Sequence, residues 1–585
     1  MTRIGAKKIL LWLGAALLAA LAVAGVWMVN EKMNEDERSA VPYAGHGGTF
    51  KNTLSSMDAP DPSIAYKDGF YYMTFTHNGA DVMVMKSRTL DFKEAERKVV
   101  WYPPVGTPYS ANLWAPEIQF IQGKWYIYFA ADDGANENHR MYALEADTDD
   151  PMGSYTFKGQ ITDESNRWAI DGLALEHEDK LYFIWSGWEG DVNIAQNTYI
   201  APMSDPLTIS GPRVLLSEPD LDWERAGGPP YINEGQSILK KNGRVFLVYS
   251  GAGSWTPFYS LGMLALKAGG DPLDPADWVK AEQPLMAMDD EAGVYGPGHN
   301  SFAVSPDGTE EWLVYHATSG VADGWANRKA RAQRVEWGED GLPRFGKPLS
   351  LDTAIAVPSG SGVFQAEHAE RIAGGLRYDS VPLGSGASRE APILLHYRNV
   401  SGGEAAVQAL AAGGEPARVK LPALKEGETG YAYAVVGFAE GSRSLEITGL
   451  SDQVDVIALE IPRYEAEYAQ GQDGMEAEDN PFASGTGVMR GDSENGAAIV
   501  FGSIGVPASG TYTVRIAISN PSGSGEASVE LKTGDGQKAK LQVPPTERSS
   551  FPVIEARIAL RKGMNSITLE PTAGAISVDY LDILR

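Results

Sequence analysis

The chain has 585 residues and a formal net charge of -28, which excludes nucleic acid and anionic lipid as electrostatic partners and favours a neutral substrate. It has no cysteine, so disulfides, thiolate metal sites and a cysteine nucleophile are excluded as well. Gly 65, Pro 35 and few long helical patterns predict several domains of all-β architecture.

The first predicted element is an uncharged run of 21 residues, 9–29, preceded by Arg3, Lys7 and Lys8 and followed by the charged stretch from Glu31 to Arg38. That length spans a bilayer as a helix, and the leading positive charge places the N-terminus in the cytoplasm. The alternative is a cleaved secretory signal with its cut among the small residues Ala20 to Ala24. Both readings export the rest of the chain, either secreted or anchored to the cell membrane. Residues 1–44 are accordingly a cytoplasmic stub, a helix and a linker.

Five copies of one pattern follow, each an acidic or polar residue, a short apolar strand, a turn and an aromatic strand. They begin at Asp61, Glu117, Asp171, Glu234 and His299, which lie 56, 54, 63 and 65 positions apart. This is the spacing of propeller blades rather than of a solenoid. Each copy opens on its innermost strand, so the five leading residues converge on the axis at one mouth of one channel. Four carboxylates and a histidine in that position predict an active site.

The blades end near Pro358, and VPSGSG at 357–362 reads as a flexible joint. All 14 Trp lie at or before Trp337. Beyond the joint a second repeat appears, in which FQAEHAERIAGGLRYD from Phe364 is echoed by YEAEYAQGQDGMEAED from Tyr464. Alternating segments such as TYTVRIAI from Thr511 are half-buried strands. The predicted organisation is a propeller over 45–358 and two jelly-roll-like β-sandwiches over 363–462 and 463–585.

The motifs APDPSIAYKDGFYYMTFT, NLWAPEIQFIQGKWYIYFAADDG, WAIDGLALEHEDKLYFIWSGWEGD, GGPPYINEGQSIL and YGPGHNSFAVSPDGTEEWLVYHA together resemble glycoside hydrolase family 43. The resemblance implies a five-bladed propeller that hydrolyses α-L-arabinofuranosides or β-D-xylosides with inversion, most similar to exo-acting arabinofuranosidases. It makes a plant cell-wall arabinan, arabinoxylan or derived oligosaccharide the expected substrate. Inversion needs one carboxylic acid to protonate the leaving oxygen and one carboxylate to deprotonate water, about 6.5–9.5 Å apart. By the family match Asp61 is the base, Glu234 the acid, and Asp171 the third acid that raises the pKa of Glu234.

Glu117 matches no catalyst of the family and is read as a residue that shapes the site. Trp114, and more weakly Trp188, match aromatics that pack on the sugar. Arg331 matches an arginine reaching into the sugar site, with Arg334 as its competitor. His299 matches a histidine that faces a hydrated calcium or other cation in the axial channel, touching mainly the waters of the ion. The sandwiches resemble carbohydrate-binding modules of family 6 or 35. They have no Trp, which leaves Tyr468, Tyr512 and Tyr580 as sugar platforms or a purely structural role for both domains. A β-xylosidase, an endo-arabinanase and a non-catalytic glycan-binding propeller are the alternatives. A retaining invertase-like enzyme falls behind, because its acid commonly sits beside a cysteine and here Gly235 follows Glu234.

Overall fold

The middle strand of each blade is apolar on both faces, because one face meets the preceding blade and the other the following one. In Phe70–Thr74 all five residues are buried. Phe70 and Tyr72 enter a core shared with the second blade, whereas Tyr71 and Met73 enter one shared with the fifth. The computed structural model, which describes residue 43 and residues 45–93, 95–520 and 525–585, has five such inter-blade cores. They close into a ring. The protein is an all-β chain with a five-bladed propeller and two β-sandwiches, and no α-helix occurs among the described residues.

The inner strands are Ser63–Lys67, Ala111–Ile121, Ala169–His177, Tyr231–Lys241 and Tyr295–Val304. The last blade has three strands of its own, Tyr295–Val304, Glu311–Thr318 and Lys329–Arg334. Residues before the first blade complete it. The Asn52 side chain exchanges two hydrogen bonds with the backbone of Ala332, at 3.1 and 2.8 Å, and Leu54 N–H donates to Ala330 O at 2.8 Å. Phe50, Leu54 and Ala59 share a core with Trp312, Val314 and Ala332, so the two ends of the propeller are joined by both hydrogen bonds and burial.

The first sandwich pairs a four-stranded with a five-stranded sheet, and the second a six-stranded with a four-stranded one, each pair around its own core. Arg463 bolts the two together. It makes a bidentate pair with Asp582 at 2.8 and 2.9 Å and donates to the carbonyls of Leu383 and Glu390. The segment just before the propeller also runs along the second sandwich, where Gly48 N–H donates to Ser503 O at 2.7 Å and the Tyr464 hydroxyl donates to His46 O. Residues 45–48, which the sequence reading gives to the propeller, therefore lie against the second sandwich. On the other side Arg88 of the propeller is buried over the rings of Phe70 and Phe364 and donates to Asp379 O at 2.7 Å.

The helix expected at 9–29 lies outside the described residues, and among these no helix is long and apolar enough to cross a membrane. The three tyrosines considered as sugar platforms have structural contacts. Tyr512 is fully buried in the core of the second sandwich, and Tyr580 lies beneath Arg463 at 3.6 Å. Tyr468 is half-buried at the seam with the propeller, where the Lys93 ammonium stands 5.3 Å from its ring.

Candidate active site

The inner strands of the second to fifth blades are all irregular at the same place. Their pairing with the second strand slips between Trp114 and Glu117, Ile170 and Leu173, Glu234 and Ser237, and Gly298 and Ser301. A bulge there breaks the strict alternation of side chains and re-aims the leading residue from the blade interface toward the axis. Asp171 and His299, inside these slips, have φ of 55° and 43°, and Asp61, just before the regular inner strand of the first blade, has 56°, a region that costs a non-glycine residue about 1–3 kcal/mol. The cost recurs where the chemistry would sit.

All five leading residues meet as predicted, with His299 at the centre. Its Nε2 lies 2.9 Å from Glu117 Oε1, and its Nδ1 lies 3.5 Å from Asp61 Oδ1 and 3.8 Å from Asp171 Oδ2. Burial opposes its protonation, but the charges of Asp171, Asp61 and Glu117 prevail and push its pKa up to about 10. His299 is thus an imidazolium at neutral pH. Glu117, expected to shape the site, does so by orienting this ring. Ser250 Oγ accepts the His299 backbone N–H at 2.8 Å.

Asp61 is the most strongly held carboxylate of the group. Burial raises its pKa, but Arg328, then His299 and the Thr76 hydroxyl, hold it well below the usual carboxylate range. Arg328 Nη1 donates to Oδ1 at 3.1 Å and the Thr76 hydroxyl donates to Oδ2 at 2.7 Å. His316 Nδ1 accepts the Asp61 backbone N–H at 3.0 Å, and burial together with Arg328 keeps this imidazole neutral.

Glu234 has the opposite environment. Burial, then the charges of Asp171 and Asp61, push its pKa up to about 8 against the opposing effect of His299. Asp171 is pushed to about 6, first by burial and then by Asp61 and Glu117, while His299 and the Gly235 N–H, which donates to its Oδ2 at 2.8 Å, favour its charge. The backbone at Glu234 is braced through Asn233. The Asn233 amide donates to Glu224 Oε1, its Oδ1 accepts from Ser217, and its carbonyl accepts from Ser186, each at 2.9 Å. The Tyr259 ring presses against Gly298, where a Cβ would stand 2.2 Å from ring atoms, and it stacks on His316. A site with one carboxyl held charged and a second held protonated has separated its acid from its base.

Other expectations are corrected. Trp188 is 4% exposed and stacks at 4.7 Å on Trp168 within the core between the second and third blades, so it offers no face to a sugar. Arg331 is fully buried beside Tyr315 and donates to Thr318 O and Ser319 Oγ. Arg334 pairs with Glu310 and Glu336 on the exposed side. The arginine that reaches the carboxylates is Arg328, from the loop just before that strand. His316, Thr76 and Tyr259 were also missed. Trp114 is half-buried at the mouth end of its strand and stacks on His139 at 3.9 Å, and His139 is in turn held by Asp132. Both nitrogens of His299 face carboxylates, and among the described residues no three His, Asp or Glu side chains are arranged to hold a metal. The donor set does not fit a cation bound directly by His299.

Carboxyls of opposite tuning in one cluster at the mouth of a closed ring suit general acid–base hydrolysis of a glycosidic bond. The chain belongs to the glycosyl hydrolases family 43, whose model matches residues 50–343. It is 35% identical over 353 residues, 59% of this chain and 71% of the relative, to an extracellular exo-α-(1→5)-L-arabinofuranosidase of Streptomyces avermitilis. It is 30% identical over 439 residues, 72% of this chain and 89% of the relative, to α-L-arabinofuranosidase 43 of Humicola insolens. Among solved structures, an α-L-arabinofuranosidase from Lactobacillus brevis is 35% identical, with a TM-score of 0.49 over 52% of this chain and 98% of that one.

Proposed function

We propose that the protein is an extracellular α-L-arabinofuranosidase that removes terminal arabinofuranosyl residues from arabinan, arabinoxylan or their oligosaccharides with inversion. The observation that carries this reading is the opposed tuning of Asp61 and Glu234 within one cluster, in a chain whose relatives are arabinofuranosidases. Glu234 gives its proton to the glycosidic oxygen as the bond to the anomeric carbon breaks. Asp61 takes a proton from the water that attacks the opposite face, and exchange with solvent resets both groups. Asp171 keeps Glu234 protonated through its charge, and His299 and Arg328 keep Asp61 ionised. Trp114, stiffened by His139, packs on the bound sugar.

Purified protein is expected to release arabinose from an aryl α-L-arabinofuranoside and from arabinan, and much less xylose from the aryl β-D-xyloside. Release of xylose alone would make it a β-xylosidase. Release from none of the three would favour a glycan-binding propeller.

The pH dependence has a definite sign. The acid must be protonated, so kcat/KM falls as pH rises through the pKa of Glu234, about 8. Asp61 imposes no loss on the acid side until well below the normal carboxylate range. The charge of Asp171 is one cause of the raised pKa of Glu234, so Asp171→Asn should move the alkaline limb down by about 1 pH unit. A kcat/KM profile of this variant checks the shift, and an unmoved or raised limb would contradict the assignment of Glu234.

A further inference from the structure

In every blade the second strand runs back toward the mouth, so the loop joining the second and third strands stands on the rim of the active site. In the fourth blade this loop is 252–259 and in the fifth 319–328. The first starts just after Ser250, which holds the His299 backbone, and ends on Tyr259 beside Glu234. The second ends on Arg328, which holds Asp61. Both loops carry large apolar side chains into solvent: Trp325 is 63% exposed, Val321 55% and Phe258 45%. Exposed apolar groups gathered at the rim of a site mark a binding surface.

Two tryptophans are fixed there. Trp255 is half-buried and folds back over its own loop at Gly253, where a Cβ would stand 2.6 Å from its ring. Trp325 meets Trp255 edge to face at 5.8 Å and 75°, and its indole N–H donates to Ser254 Oγ at 3.2 Å. The Trp325 carbonyl accepts from Arg328 Nε at 3.2 Å, which places its backbone one arginine side chain away from Asp61. An exposed indole held by a ring, a hydroxyl and a backbone contact is preorganised for stacking.

The side of the pocket decides what stacks. The leaving group departs toward the residue that protonates its oxygen, and Glu234 belongs to the blade that carries Trp255 and Phe258. We propose that Trp325, backed by Trp255, is the platform for the leaving-group sugar of the substrate, whose apolar ring face lies on the indole. The enzyme thereby selects arabinofuranosyl groups attached to a sugar chain over those attached to a small aglycone. This inference rests on the arabinofuranosidase reading above and names the part of that site which reads the aglycone.

The test compares two substrates with the same glycosyl group, an α-1,5-linked arabinotriose and α-L-arabinofuranosyl fluoride, whose leaving group is a single atom. Trp325→Ala should lower kcat/KM on the triose about tenfold more than on the fluoride, mostly through KM, since stacking binds ground and transition states alike. Trp325→Phe should recover most of the difference. Gly253→Ala, which drives a methyl group into the Trp255 ring, should show the same preference in weaker form. Equal losses on the two substrates would reduce Trp325 to a support for the Arg328 loop and overturn the proposal, and so would an undiminished rate on the triose. Fluoride turnover reports an intact site, and wild-type protein inactive on both substrates would overturn the arabinofuranosidase reading instead.

Discussion

Glu234→Gln is expected to lower kcat/KM on arabino-oligosaccharides by about 10²–10⁴, the contribution of a positioned general acid. Glutamine preserves the shape of the buried side chain and the brace at Asn233 but has no proton to give. The loss should therefore shrink as the leaving group improves and nearly vanish on the fluoride, which departs without protonation. Asp61→Asn should lose a comparable factor on every substrate, because the attacking water must be deprotonated whatever leaves. The contrast between the two variants assigns the roles. A Glu234→Gln defect as large on the fluoride as on the triose would show that this residue is not the acid.

Arg328→Met is expected to cost about 10² in kcat while the protein stays folded, and to give the pH profile an acid limb absent from the wild type. Burial alone would raise the pKa of Asp61, and Arg328 is the largest of the influences that reverse it. Without that charge the carboxyl of Asp61 titrates at higher pH, so activity should be lost progressively as pH falls. Arg328→Lys should restore only part of the effect, since an ammonium cannot both donate to Asp61 Oδ1 and reach the Trp325 carbonyl as the guanidinium does. A profile that dropped uniformly in height would mean that Arg328 acts on something other than the ionisation of Asp61.

The fold and the central cluster were legible because blade repeats write the same position five times. The copies fixed the blades, and their leading residues fixed the axis, so Asp61, Glu117, Asp171, Glu234 and His299 could be brought together from spacing alone. The partners that tune them come from elements without that periodicity. Arg328 stands in a loop a few residues before a strand that also carries Arg331 and Arg334. The family resemblance points to Arg331, with Arg334 as its competitor, and a match of motifs does not tell that an arginine of the preceding loop turns inward instead. Arg331 is buried between blades, three positions from the one that reaches Asp61. Trp188 was misplaced for a related reason. An aromatic next to a mouth loop serves a sugar or a core equally well in sequence, and only its stack on Trp168 decides. His316 lay inside a quoted motif yet gave no signal of its own. Its use is to accept the Asp61 backbone N–H, a contact between residues 255 positions apart.

The sandwiches were legible as two repeats, but not the way the chain ties itself together. The apolar alternation that forms their sheets says nothing of the strand-like contact between residues 46–48 and Ser503 to Gly505, which joins the start of the described chain to its last domain. No described residue of either sandwich supplies a group to the cluster around His299.

In the proposed mechanism Asp61 activates a water that attacks directly, with Glu234 as the acid on the opposite face. Proton NMR of the reaction in its first minutes, before mutarotation, tests it by reading the anomeric configuration of the first sugar released from an α-L-arabinofuranoside. β-L-Arabinose is expected as the first product, and the α-anomer appearing first would contradict inversion.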